Sequence, residues 1–168
     1  MLFRPLLLMA LSMSFFSCQA QVESGAFNLL LKSMLKETVP VISVKELAKK
    51  DLNKMTLLDA RTKEEFDVSH LKNATWVGYD DFNLSRVKSL DKSKEVVIYC
   101  SIGVRSEKIG EKLQEAGFKN VKNLYGSIFE WVNAGNTVYG PDGKPTQKVH
   151  AYNKKWGIWL NKGEKVYE

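Results

Sequence analysis

Two rhythms of apolar and polar residues run through the middle of this chain. Short β-branched apolar runs alternate with stretches whose apolar residues recur three and four positions apart. The clearest run is Glu95-Val96-Val97-Ile98-Tyr99, apolar at consecutive positions. That is the pattern of a parallel strand buried on both faces. Behind it, Ser106 to Ala116 places Ile109, Leu113 and Ala116 at helical spacing, and Gly117 supplies a C-terminal stop. Met55 to Ala60 and Val121 to Tyr125 predict two further strands, and Val41-Ile42 and Ala74 to Val77 two short ones. Ser43 to Glu46, Thr62 to Glu65 and Ser127 to Glu130 each have the spacing of a capping box that opens a helix. Phe82 to Leu90 also reads as helical, and Gly135 ends the helix begun at Ser127. Strands alternating with helices predict an α/β fold with a parallel sheet covered on both faces.

The flanks follow other patterns. Ala26 to Glu37 puts Phe27, Leu30, Leu31, Met34 and Leu35 on one helical face, and Pro40 ends it. We read this stripe as core packing rather than a membrane-surface helix. Beyond Thr137, Tyr139 to Pro145 is turn chemistry, followed by Tyr152, Trp156, Trp159 and Tyr167 among lysines. We read that tail as an extension folded over the domain with its aromatics buried, rather than as a binding arm. Met1 to Phe16 is an apolar run with one charge, Arg4, placed where a signal peptide's apolar core sits and short for a bilayer span.

Composition adds bounds. The 168 residues suffice for one domain with a real core, and 44% hydrophobic with 26% charged residues excludes wholesale disorder. The formal net charge of +6 is spread over scattered lysines without a nucleic-acid motif, so we expect a solvated basic surface and no nucleic-acid partner. There are two cysteines, Cys18 and Cys100, and no histidine–cysteine cluster. No metal site and no cofactor are expected.

Cys18 follows Phe15-Phe16-Ser17, which resembles a bacterial lipobox, with Phe15 where an aliphatic residue is usual. The resemblance implies a lipid attached at Cys18, a signal peptide over 1–17, and an exported protein anchored to a membrane and facing the periplasm. The alternative is ordinary cleavage after Ala20 and a soluble exported product.

The candidate chemistry lies at Cys100. It stands where a strand ends, followed by Ser101, Ile102, Gly103, Val104, Arg105 and Ser106 as a loop leading into a helix. Backbone N–H groups of such a loop converge, and a helix N-terminus adds positive potential. A thiol there is acidified, and the thiolate is the nucleophile. The plain alternative is an inert thiol at a strand end. Arg105 holds the loop or meets an anionic donor, Gly103 permits the turn, and Arg61 is expected to pair with Glu64 or Glu65. Asp59 either orients loop groups or makes a structural hydrogen bond, and His70 reads as structural.

Several of these motifs together resemble single-domain rhodaneses. They are Leu58-Asp59-Ala60-Arg61, Glu64-Glu65-Phe66, His70 to Ala74, Val97 to Cys100 with Gly103 and Arg105-Ser106, Leu113 to Gly117, and Tyr125-Gly126-Ser127 with Trp131. The resemblance implies a five-stranded parallel α/β domain and a sulfurtransferase that carries sulfane sulfur as a Cys100 persulfide. Its partners would be a donor such as thiosulfate and a thiol acceptor, either a small molecule or a thioredoxin-like protein. The expected organisation is a signal peptide at 1–17, a tether and helix at 18–40, the rhodanese domain at 41–136 and an extension at 137–168. Two alternatives remain open: a non-catalytic module that carries sulfur or binds a partner, and a cysteine phosphatase. Against the phosphatase, four residues separate Cys100 from Arg105, one fewer than phosphate-binding loops of this type contain.

Overall fold

A computed structural model describes residues 22–167. Cys18 and the apolar run before it lie outside the described residues. The frame is a five-stranded parallel sheet in the order β1-β5-β4-β2-β3. Its strands are β1 (Val41–Ile42), β2 (Thr56–Asp59), β3 (Thr75–Trp76), β4 (Glu95–Tyr99) and β5 (Asn120–Leu124). The helices are α1 (Gly25–Met34), α2 (Val44–Leu47), α3 (Lys63–Val68), α4 (Val104–Glu115) and α5 (Ser127–Asn133).

The unbroken apolar run of β4 is explained by two cores, one on each face of the sheet. Val96 and Ile98 of β4, with Leu58 of β2, pack against Ile109 and Leu113 of α4. Val97 and Tyr99, with Leu57, face the other way into a cluster with Leu31, Leu47, Leu124 and Phe129. Strand period two sends neighbours to opposite faces, so a doubly covered strand must be apolar at every position. Burying one such side chain contributes about 1.5–3 kcal/mol, so this strand ties the sheet to both cores.

The expected capping boxes form at Ser43–Glu46 and Thr62–Glu65. The third does not. Gly126 takes the cap position at φ 76°, Ser127 follows at φ 52°, and no side chain caps the helix. The Ser127 hydroxyl is instead turned toward the end of β4, and Glu130 accepts the N–H of Glu23. Phe82 to Leu90 is not a full helix; it contains one 3₁₀ turn, Leu84–Val87, with Val87 its buried residue. A segment with so little to bury lacks the tertiary contacts that make short helices persist.

The flanking segments pack onto the Leu31 side. Phe27 and Leu31 of α1 are buried, as is Leu35 just beyond it. After α5 the chain forms the antiparallel pair β6 (Val138–Tyr139) and β7 (Pro145–Thr146), then a parallel pair, β8 (Lys148–His150) and β9 (Glu164–Val166), around the short helix α6 (Lys154–Gly157). Val149, Ala151 and Leu160 enter the core, and Trp159 stacks on Phe27 with ring centroids 5.5 Å apart. The expectation of buried tail aromatics holds for part of the set. Tyr152 and Tyr167 are exposed, whereas Trp156 is half-buried beside Cys100.

Candidate active site

Chain order and sheet order together place a crevice. The chain leaves β2 for β3 on one side of it and leaves β4 for β5 on the other. The connections after β2 and β4 therefore diverge at their carboxyl ends, which is where open α/β sheets bind ligands. Cys100 is the residue after β4, and Arg61 and Glu65 lie just after β2.

The Cys100 turn is held from behind, carbonyl by carbonyl. The Ile128 N–H donates to the Cys100 carbonyl at 3.2 Å and the Phe129 N–H to the Ser101 carbonyl at 3.1 Å. The Asn123 Nδ2 donates to the Gly103 carbonyl at 2.9 Å. The Cys100 N–H itself donates to Ser127 Oγ at 3.1 Å. With its carbonyls tied back, the turn presents N–H groups toward the sulfur, and Gly103 N–H donates to Cys100 Sγ at 3.1 Å. Gly103 has φ 120° and caps α4, a backbone geometry that L side chains rarely adopt. Helix α4 begins at Val104, earlier than the expected Ser106. Val104, Arg105 and Ser106 therefore form its first turn and are not loop residues. At the start of α4 the Gly103 and Ser106 N–H groups both act on the sulfur, where the helix N-terminus favours negative charge.

Each predicted site residue has a definite place. Cys100 is 1% exposed and lines a cavity of about 200 Å³ with Ser101, Ile102, Val104 and Arg105. Ser106 lies beneath, its hydroxyl 2.7 Å from Asn123 Oδ1 and 3.1 Å from the Gly103 carbonyl. Burial alone would raise the Cys100 thiol pKa. The Arg105 charge, then the Ser106 hydroxyl and N–H and the Gly103 N–H, outweigh burial and hold the thiol below its ordinary value. A charge, a hydroxyl and two N–H groups thus act on this sulfur.

Arg105 does not stand free. Its guanidinium grips Glu65 at both ends, Nη1 to Oε2 at 2.6 Å and Nη2 to Oε1 at 2.8 Å, and donates to Ser101 Oγ at 2.9 Å. Glu65 is buried, and burial pushes its carboxyl pKa up. Hydrogen bonds and charge from Arg105, the Arg61 charge and the Thr62 N–H overcome this and bring it down to about 2. Arg61 pairs with neither Glu64 nor Glu65. It is fully buried against Asp59, Nη2 to Oδ2 at 2.7 Å, and also donates to the Ser69 carbonyl at 2.6 Å. That pair fixes the turn after β2 that carries α3 and Glu65. His70 is structural: its ring stacks on Phe66 at 4.1 Å and bonds the Phe66 carbonyl.

Sequence reasoning missed Glu65 as a site residue, along with Asn123 and Ser127. The signals existed: a capping-box glutamate, an asparagine within a predicted strand, and a serine after Tyr125-Gly126. It also missed Met34, Tyr152 and Trp156, which close the cavity from α1 and the tail. Tyr152 has φ 64° and its ring lies over the Arg105 guanidinium, 5.1 Å from the centroid. Among the described residues, no group of three or more His, Cys, Asp or Glu side chains is placed to hold a metal ion.

Known proteins resemble this chain in sequence and in fold. Over 116 residues the chain is 33% identical to a protein of Hamiltonella defensa named tRNA uridine(34) hydroxylase, covering 66% of this chain and 31% of that protein. A protein of the same name from Cytophaga hutchinsonii is 35% identical over 88 residues, covering 50% of this chain and 28% of that protein. The chain thus spans about a third of the length of these curated relatives. Among solved structures, the BH2092 protein of Bacillus halodurans superposes with a TM-score of 0.56 at 24% identity, covering 67% of this chain and 85% of that one. A rhodanese-related protein from Thermoplasma volcanium gives 0.52 at 25% identity, covering 59% and 96%. The rhodanese-like domain family model matches residues 43–134. That span is more than half of the chain and contains Glu65, Cys100, Arg105, Asn123 and Ser127, so this chain belongs to the rhodanese-like domain family.

Proposed function

We propose that this protein is a sulfurtransferase that carries sulfane sulfur on Cys100. The observation that carries the reading is the sulfur's cradle: Sγ accepts the Gly103 N–H at 3.1 Å at the start of α4, beside the Arg105 charge. A thiolate held this way needs no general base. With thiosulfate as donor, the Cys100 thiolate forms a bond to the outer sulfur. The bond between the two donor sulfurs breaks, and its electron pair leaves on sulfite. The persulfide anion then sits where the thiolate sat, and the same N–H groups stabilise it. A thiolate or cyanide acceptor attacks the outer sulfur, takes it away, and returns Cys100 as thiolate. Transfer to cyanide, read as thiocyanate, should be present in the wild type and absent in Cys100→Ser, whose oxygen does not accept sulfane sulfur.

Two other readings are weighed by specific observations. The relatives' name suggests hydroxylation of uridine 34 in tRNA. It is supported by similarity confined to about a third of those proteins, and is tested by assaying tRNA for the hydroxylated base. Phosphate-ester hydrolysis is disfavoured by the turn itself. A phosphate must sink its oxygens into the ring of N–H donors for sulfur to reach phosphorus, whereas a sulfane sulfur enters alone. Reacting atoms need an approach of about 3–3.5 Å, so a ring one residue too small suppresses hydrolysis. For location, the apolar run ending at Cys18 supports export and a lipid anchor facing the periplasm. In that case Cys18→Ser should move the protein from the membrane fraction to the soluble one. A mature wild-type N-terminus at Gln21 would contradict the anchor.

A further inference from the structure

The walls of the Cys100 cavity come from two sources. The floor belongs to the family-matched region, but Met34, Tyr152 and Trp156 lie outside residues 43–134. These three, with Ile102 from the turn and Val104 from α4, make the lining predominantly apolar. Ser101 and Arg105 on that lining are already engaged. The Ser101 hydroxyl donates to Glu65 at 2.9 Å, and both ends of the Arg105 guanidinium are bound by the same carboxylate. Arg105 is the cation among the lining residues, and its charge is matched at contact distance by Glu65. A compact dianion entering this cavity would lose its hydration shell and meet the N–H groups at the sulfur but no unmatched charged side chain on the lining. An apolar body would lose nothing polar and would touch a methionine and two aromatic rings.

Tyr152 adds an independent observation. A bulky residue in the left-handed region is an outlier, and such strain persists where surroundings enforce it, often at functional sites. Here φ is 64°, the Tyr152 N–H donates to His150 Nδ1 at 3.1 Å, and the ring, 46% exposed, is laid over Arg105. The strain does not serve core burial. It holds an aromatic wall at the mouth of the cavity.

We infer that the Cys100 cavity selects sulfane-sulfur donors whose leaving group carries an apolar, ring-sized body, and that Met34, Tyr152 and Trp156 set this preference. The inference rests on the sulfur-transfer reading and names its substrate class. With an aryl thiosulfonate, the Cys100 thiolate bonds to the outer sulfur. The bond from outer sulfur to sulfonyl sulfur breaks, and its electron pair leaves on the aryl sulfinate. No proton or further redox partner is required. The ring stays against Trp156 and Tyr152 while the outer sulfur enters the turn.

The test compares benzenethiosulfonate, methanethiosulfonate and thiosulfate as donors to cyanide, each rate divided by that of a small thiol in solution to remove intrinsic reactivity. The wild type should prefer the benzene over the methane donor by about tenfold in kcat/KM, equivalent to roughly 1.4 kcal/mol of ring contact. Thiosulfate should be the poorest of the three. That ratio should fall toward one in Trp156→Ala and in Tyr152→Gly. The glycine variant separates specificity from folding, because it relieves the positive φ and should melt no lower than the wild type while losing the preference. A ratio near one in the wild type, or a ratio unchanged in both variants, overturns the inference and leaves sulfur transfer standing. No thiocyanate from any of the three donors overturns sulfur transfer itself.

Discussion

Replacing Glu65 with glutamine should destabilise the protein and acidify its cysteine at once. The carboxylate is 1% exposed and binds Arg105 through both oxygens, yet its pKa lies at about 2 rather than 4.5. At 1.36 kcal/mol per unit, that difference is roughly 3 kcal/mol of stability at neutral pH. The folded value lies below the unfolded one, so the contribution is complete above about pH 5 and is lost as pH falls toward 2. By pH 3 less than half remains, roughly 1.4 kcal/mol. Glu65→Gln removes it at every pH and sets an amide N–H₂ against a guanidinium, so the loss at pH 7 should be about 2–3 kcal/mol. Meanwhile the Arg105 charge, no longer matched by Glu65, acts more strongly on the sulfur, and the thiol pKa should drop further. Urea unfolding at pH 7 and pH 3 reads the first effect, and the pH profile of Cys100 alkylation reads the second. The reasoning fails if the stability gap between wild type and variant is as large at pH 3 as at pH 7, or if the thiol pKa rises.

Three further outcomes follow from the same geometry. Asp59→Asn leaves the fully buried Arg61 guanidinium without its counter-charge and should cost about 3–5 kcal/mol in denaturant unfolding, a loss that an exposed pair such as Lys63–Asp67 would not show. Gly103→Ala meets little crowding, since the nearest atom to an added Cβ is Leu35 Cδ2 at 3.5 Å, but forces φ 120° on an L residue. It should therefore cost about 1–3 kcal/mol through backbone strain and slow persulfide formation, as measured by melting and by turnover. Trp159→Ala removes the half-buried ring stacked on Phe27 and should lower stability by about 1–3 kcal/mol in urea unfolding, because it loosens the tail's contact with α1.

How much of this was readable in advance depends on the range of the interaction. The β4–Cys100–α4 unit was legible because a doubly buried strand must be apolar at each position, and Val96 to Tyr99 are. The start of α4 was not, because its cap is Gly103, which has no side chain to announce it. The serine at 127 had the spacing of a capping box, yet tertiary structure turned its hydroxyl to the Cys100 N–H; Gly126 before it was the better signal. Arg61 was assigned the wrong carboxylate because sequence proximity does not say which way a side chain leaves a strand. The arginine folds back on Asp59 two residues earlier, and Glu65 is left for Arg105 forty positions away. Met34, Tyr152 and Trp156 meet only through the packing of α1 and the tail onto the sheet, and no local pattern encodes that meeting.

The central claim is that Cys100 becomes a persulfide, and intact mass spectrometry before and after a sulfane-sulfur donor tests it most directly. Wild-type protein should gain the mass of one sulfur atom, mapped to Cys100, and lose it on addition of cyanide or a thiol. Cys100→Ser should gain nothing. A wild type that takes up no sulfur, or a serine variant that takes up as much, would contradict the account.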